Sequence, residues 1–465
     1  HQRAAQWIET LSPDRAEDHA ELLAHHYQAA LEFAHAAGQD TAVLAERARL
    51  ALRDAGDRAL DLNAFAAGAR WYAAALELWP PADPERPRLL FRLGRARFNA
   101  EDTGEDLLAA ARDGLLAQGD RETAAEAEAM LGYLAWSQGH SEQGLEHHRQ
   151  AVALLEDQGP SRAKAYALGH LAGALLFRGH YQEAIQVSRH VLEVADDLGL
   201  DDLRAWGFGY LGVARIHSGD TGGVADLEQA LAIHIQVNSP NTAVTYGNLA
   251  LALFGLGDLT RALELVDEGR QAAERFGRAG DLRNLQMLKI IGDYWQGHWD
   301  AAIQEASRLI AESRAGTQHL EEAPCRFVRA WIRLARGDLL GALDDADTAA
   351  QLAHAADVPE DLYPALALRS RVLLAAHRIQ EADAQASQLL AVLLDRGAPL
   401  TAPDWSGDLA VVLQALGRAT DMQGLTRVWT ATPWRQAATA IATGDFEHAA
   451  GLYGRIGSLP DEAFA

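Results

Sequence analysis

The sequence predicts an all-α chain built as an array of helix-turn-helix repeats with a period near 40 residues. Three observations carry that prediction: turn residues recur about every forty residues, a small residue follows most turns at a fixed distance, and helix formers dominate the composition. The 465 residues exceed what a single compact hydrophobic core usually supports, so the chain splits into domains or extends as a repeat array. With 49% hydrophobic residues and long stretches rich in Ala, Leu, Arg and Glu, it can bury ample apolar surface in helices.

The repeat is visible as SQGHSEQG, FRGHYQEA, GLGDLTRA, WQGHWDAA, ARGDLLGA and ATGDFEHA. Its turn residues are Gly139, Gly179, Gly219, Gly257, Gly297, Gly337, His377 and Gly417, at successive separations of 40, 40, 38, 40, 40, 40 and 40. Glycine suits such a turn because it tolerates positive φ where one helix stops and the next begins. Five residues on lies Ala184, Ala262, Ala302, Ala342, Ala382 or Ala449, with Gly144 in the equivalent place of its repeat. A small side chain there lets two antiparallel helices approach closely. Before five of the eight turns a Leu and a small residue mark the seam of the first helix: Leu131-Gly132, Leu171-Ala172, Leu211-Gly212, Leu249-Ala250 and Leu409-Ala410.

Leu93-Gly94 continues this register upstream and places turns near Glu101 and Asn63 in more degenerate repeats. A second punctuation set, Gly159-Pro160, Gly199, Ser239-Pro240, Pro359 and Pro399, falls between helix pairs, as expected of residues that end helices. The organisation read from these marks is an N-terminal helical segment over 1–38, degenerate repeats over 39–120, regular repeats over 121–430 and a closing repeat over 431–465. In all there are about eleven repeats.

The Leu-Gly/Ala, Gly-Asp and Ala positions resemble tetratricopeptide (TPR) repeats, which implies a right-handed superhelical solenoid. The usual period of that family is about 34 residues, so these helices are longer. The opening HQRAAQWIETL, followed by AELLAHHYQAALEFAHAAG, and the ending GDFEHAAGLYGRIGSLPDEAFA resemble the C-terminal sensor region of bacterial STAND-class signalling ATPases, those linked to adenylate or guanylate cyclases or of LuxR type. The resemblance implies a regulatory arm acting on an ATPase and output module outside this chain. A chain that starts at His1 and not at Met fits a piece of such a longer protein.

Composition and motifs narrow the chemistry. A formal charge of −24 repels phosphate backbones and anionic lipid, so nucleic acid and membrane are poor partners. The lone Cys325 cannot form an intrachain disulfide, and no signal peptide or apolar span is evident, which points to a cytoplasmic location. The string GFGYLG at Gly207–Gly212 matches a dinucleotide-binding pattern but falls inside a helix, where that motif does not operate. Neither Lys164 nor Lys289 sits in a phosphate-binding loop. The pairs His25-His26 and His147-His148 lack HExxH or CxxC company, and neighbours on a helix diverge by about 100°. They are read as helix surface and interhelix packing. No catalytic residue, cofactor or metal is expected, and the chain is not read as an enzyme.

The remaining candidate is the concave face. The family register turns positions two, three and six before each turn inward, which selects Trp136, Phe177, His217, Phe254, Tyr294, Trp295, Trp331 and Arg371. An aromatic lining with an occasional cation suits a protein or peptide segment, an aromatic ring or a sugar face. The alternative is that several of these residues fill the interhelix core. A chaperone-tail carboxylate clamp is disfavoured because its Lys and Asn places hold Gly169, Gly173, Gly209 and Gly247. The function expected is ligand- or partner-sensing control of the absent module, the alternative being a passive protein–protein interaction scaffold.

Overall fold

The forty-residue recurrence of turn residues becomes a recurrence of left-handed backbone. In the computed structural model, which describes residues 1–11, 19–316, 319–400, 404–425 and 429–465, Gly139, Gly179, Gly219, Gly257, Gly297, Gly337, His377 and Gly417 have φ of 87°, 77°, 88°, 87°, 78°, 80°, 56° and 70°. Upstream, Asn63 (57°) and Asp102 (51°) take the same conformation. The second turn therefore lies one residue beyond Glu101, and both use an Asx side chain, which tolerates this region better than other non-glycine residues.

The described residues form 25 helices. The first eight are α1 (Gln2–Leu11), α2 (Ala20–Ala36), α3 (Ala42–Asp61), α4 (Phe65–Leu78), α5 (Arg86–Glu101), α6 (Glu105–Ala117), α7 (Arg121–Ser137) and α8 (Ser141–Ala153). The array continues with α9 (Arg162–Phe177), α10 (Tyr181–Leu198), α11 (Asp201–His217), α12 (Gly223–Gln236), α13 (Thr242–Leu256), α14 (Leu259–Phe276), α15 (Ala279–Trp295), α16 (Trp299–Ala315), α17 (Glu322–Ala335) and α18 (Leu339–Ala356). It ends with α19 (Pro359–Ala375), α20 (Ile379–Arg396), α21 (Ser406–Ala415), α22 (Ala419–Leu425), α23 (Pro433–Thr443), α24 (Phe446–Ile456) and α25 (Leu459–Phe464). Successive helices pair and pack on one another, and no strand occurs among the described residues.

Two compact units result. The first comprises His1–Leu134 with Arg149–Gln158 and Glu274–Ala279. Its core gathers Leu52, Tyr72, Trp79, Leu89 and Leu93, and Tyr27 packs with Ala5 and Ala48 where α1, α2 and α3 meet. The Tyr27 hydroxyl donates to Glu9 Oε1 (2.6 Å) and accepts from Arg47 (3.2 Å), so Tyr27 serves interhelix packing.

The second unit comprises Ala135–His148, Gly159–Ala273 and Gly280–Ala465. The small residues chosen from sequence do their expected work: Ala184, Ala262, Ala302, Ala342, Ala382 and Ala449 are fully buried. At the seam, a Cβ on Gly212 would lie 2.6 Å from the carbonyl oxygen of Gly223. That glycine of the GFGYLG string thus serves the contact of α11 with α12. Gly169 and Gly173 make room for Trp206 and Tyr210 of the next repeat, whose rings would stand 3.0 Å from an added Cβ. Cys325 is buried, and burial pushes its thiol up, which keeps it protonated.

A solenoid whose repeats touch only their neighbours is the usual expectation. Inside the second unit that expectation fails. Ser141 Oγ donates to the carbonyl oxygen of Ala356 (2.5 Å), Arg178 pairs with Asp357 (3.0 Å), and Trp434 Nε1 donates to the carbonyl oxygen of Phe254 (2.7 Å). The helix-pair turns near Gly139, Gly179 and Gly257 thus meet chain roughly five repeats further on. Later elements of this unit cover the inward ends of its earlier ones.

Candidate functional site

All eight inward-register residues lie in the second unit, near the C-terminal ends of first helices, and their surroundings differ. Trp136 and Phe177 stack on each other at a centroid distance of 4.3 Å and 26°, both half-buried. Phe254 and Trp295 are buried. Trp434 of α23 covers them, its ring 5.1 Å from Trp295, which is 5.3 Å from Phe254. Those two residues fill core in this structure.

His217 meets a partner that no local pattern announced. Its Nε2 stands 3.2 Å from Glu360 Oε1 of α19, and Tyr181 stacks on its ring at 5.1 Å and 19°. Burial pushes the Glu360 carboxyl up to about 8 and the His217 imidazole down to about 4, so both are neutral at pH 7. The Tyr181 and Tyr363 hydroxyls are buried without a hydrogen-bond partner among the described residues. Each such atom costs about 1–3 kcal/mol.

Tyr294, Trp331 and Arg371 are brought together around a cavity of about 320 Å³. Trp299, Leu334, Leu374 and Val411 extend its apolar wall, and Pro460, Asp461 and Phe464 of α25 close it. The Tyr294 ring stacks between Trp331 (5.1 Å, 23°) and Trp299 (6.2 Å, 10°). Trp331 Nε1 donates to Asp408 Oδ2 (2.8 Å) and Arg371 Nη1 to Asp408 Oδ1 (2.5 Å), while the Arg371 guanidinium lies 4.6 Å from the Phe464 ring centre. Burial works against the charge of Arg371, but the Asp408 carboxylate outweighs it and holds the guanidinium protonated.

Three carboxylates and two guanidiniums face this end of the unit. Asp408 is paired with Arg371, and Asp404 lies 3.8 Å from Arg435. Asp461 Oδ2 accepts the Ser458 hydroxyl, at 2.6 Å. Burial pushes its carboxyl up to about 6, helped by Asp408 and Asp404 and opposed by the Ser458 hydrogen bond and Arg371. The cavity therefore offers stacked aromatic faces, apolar walls and the Asp461 carboxylate beside an Arg371 that is already paired with Asp408.

Sequence reasoning missed Trp299, Asp408, Asp461, Phe464, Glu360 and Trp434. Only Trp299 left a signal, being part of the repeated string WQGHWDAA. It also missed a third partner for His25-His26: in the first unit, ligand-capable nitrogens of His1, His25 and His26 lie within 4.8 Å of one another. At the other histidine pair, His148 is buried and stacks on His170 at 5.4 Å, and burial lowers its pKa well below the ordinary value. No helix among the described residues is long and apolar enough to cross a membrane.

Paired helices joined by left-handed turns give the chain a TPR-like helical-repeat fold. A tetratricopeptide repeat family profile matches residues 242–275, the span of α13 and nearly all of α14. Among solved structures, the chain is similar to a Rap protein complexed with Competence and Sporulation Factor. The identity is 16% over 82% of this chain and 98% of that one, with a TM-score of 0.48. It is similar to NprR in complex with its cognate peptide NprX, at 13% identity over 70% and 95% of the two chains and a TM-score of 0.48. The STAND protein with a tetratricopeptide repeat sensor, PH0952 from Pyrococcus horikoshii, is similar at 13% identity over 70% of this chain and 52% of that one, with a TM-score of 0.38. A search of curated proteins finds no match.

Proposed function

We propose that the chain is the non-catalytic sensing arm of a cytoplasmic STAND-type signalling protein, in which a ligand or partner segment bound at the inner edge of the repeats controls an ATPase or output module outside this chain. The observation that carries the sensing role is the cavity at Tyr294, Trp331 and Arg371, walled by aromatic rings and carrying the Asp461 carboxylate. Pockets that bury a small ligand are largely apolar with few polar groups, and a cation next to stacked rings gains from both the carboxylate and the ring faces. The link to a STAND partner is supported by the opening and closing sequence strings. Control of this kind requires the ligand to favour one of two conformations, since equal affinity for both shifts nothing.

Two measurements test the reading. A thermal-shift and tryptophan-fluorescence screen of peptides and cationic, neutral and anionic aromatic metabolites is expected to yield a ligand that raises the melting temperature, because it binds only the folded state. Its affinity should fall about 10-fold in Asp461→Asn, the loss of one modest charge interaction of about 1.4 kcal/mol. Deleting this segment from a parent protein carrying the output module should change basal or stimulated output. Unchanged output abolishes the regulatory role, and partner binding without any effect on output supports a passive scaffold.

A further inference from the structure

We propose that His1, His25 and His26 form a three-imidazole site for a divalent metal ion of the zinc class, joining the start of α1 to α2. Adjacent histidines on one helix do not by themselves surround an ion, because their side chains leave the axis about 100° apart. The third imidazole, supplied from outside the helix, changes this. His1 precedes α1, and α1 is held on α2 by the buried Ala5, by Tyr27 and by the Tyr27 hydrogen bond to Glu9. The His1 ring stacks on Phe33 at 5.6 Å and 17°, which orients it toward the second turn of α2.

The geometry is close to that of a metal centre. His1 Nδ1 and His26 Nδ1 are 2.9 Å apart, and the three ring centroids are separated by 6.0, 5.2 and 5.5 Å. An ion holding imidazole nitrogens at about 2.0–2.1 Å in tetrahedral directions sets those nitrogens about 3.3 Å apart and the ring centres roughly 5 Å apart. The ring centres lie within about 1 Å of that spacing and the closest nitrogen pair slightly inside it, so small side-chain rotations suffice. His1 and His25 are exposed and His26 is half-buried, which leaves an entry path and a fourth position for water. An all-nitrogen donor set suits zinc, nickel or copper and disfavours magnesium and calcium, which prefer oxygen. The formal charge of −24 concentrates cations around the chain.

The test is calorimetric titration of the chelator-treated full chain with zinc chloride alone, and with magnesium chloride as the contrast. One zinc equivalent is expected to bind and to raise the melting temperature, with no comparable magnesium heat. His26→Ala and His1→Ala should each lower zinc affinity by at least about 10–100-fold. His1→Ala, at an exposed position ahead of the first helix, keeps the test decisive if His26→Ala fails to fold. X-ray absorption of the zinc-loaded chain should show three imidazoles in the first coordination sphere. Zinc binding that survives both substitutions, zinc held by fewer than three imidazoles, or no saturable zinc binding overturns the site.

Discussion

Tyr294 and Trp295 are neighbours on α15, yet they face different worlds. Trp295 lies under Trp434 of α23 in a sealed aromatic cluster, while Tyr294 borders the cavity roofed by α25. The two covers differ in how they are held. Trp434 is buried and hydrogen-bonded to the Phe254 carbonyl oxygen, whereas α25 has no buried residue and Phe464 is 50% exposed. Both rings are buried in the same hydrophobic core, but only Tyr294 also borders a cavity. What decides is the later element lying over them, and how firmly it sits.

The sealed half is where the largest effect is expected. Trp434→Ala removes a buried indole and its hydrogen bond, a loss of about 3–5 kcal/mol, and should detach the last helices of the unit at lower denaturant concentration. Urea unfolding followed by tryptophan fluorescence measures it. An unchanged midpoint contradicts the description of this cover as core.

The His217–Glu360 contact gives a second, pH-dependent way to break the sealed half. Glu360 ionises near 8 in the folded chain against its ordinary 4.5, so folding holds a proton that the unfolded chain releases, and its stabilising effect is lost as pH rises from about 4.5 to 8. His217 works in the opposite sense, losing stability as pH falls from 6.5 to about 4. Above pH 6.5 only the Glu360 decline remains of the two, so Glu360→Gln should raise the melting temperature more at pH 8 than at pH 6. The change should be about 2–4 °C for each 1 kcal/mol recovered. Asp361, pushed up to about 7 by burial and by Glu321, adds a decline that persists in the variant. A difference between variant and wild type that does not vary with pH removes Glu360 from this account.

The smallest stability effect belongs to the open half. Phe464→Ala forfeits a half-exposed ring and its contact with Arg371, about 0.5–1 kcal/mol, and widens the cavity mouth. Melting temperature should barely move, while ligand association in stopped-flow fluorescence should speed up. A loss as large as that of Trp434→Ala would mean that α25 is as firmly held as α23.

Much of the fold was legible because it is local. All eight chosen turn residues take positive φ, His377 included, since a helix reversal needs that backbone wherever it occurs. The paired alanines are buried because each lies within its own helix pair. The register by itself does not separate the inward residues: Tyr294, Trp331 and Arg371 line one cavity, while Phe254 and Trp295, at the same register, lie under Trp434. Nothing near His217 in sequence points to Glu360, and nothing near Tyr294 points to Asp461.

The sequence by itself determined the all-helical repeat, its forty-residue period, its turns and the residues that let adjacent helices meet. These depend on backbone conformation and side-chain volume within one or two repeats. Only the tertiary structure decided which inward residues are covered, by Trp434, by Glu360 or by α25, and that His1 joins His25 and His26. The covers depend on small rotations accumulated over many helices, and the histidine cluster on how α1 seats on α2; no single repeat carries either in its residues.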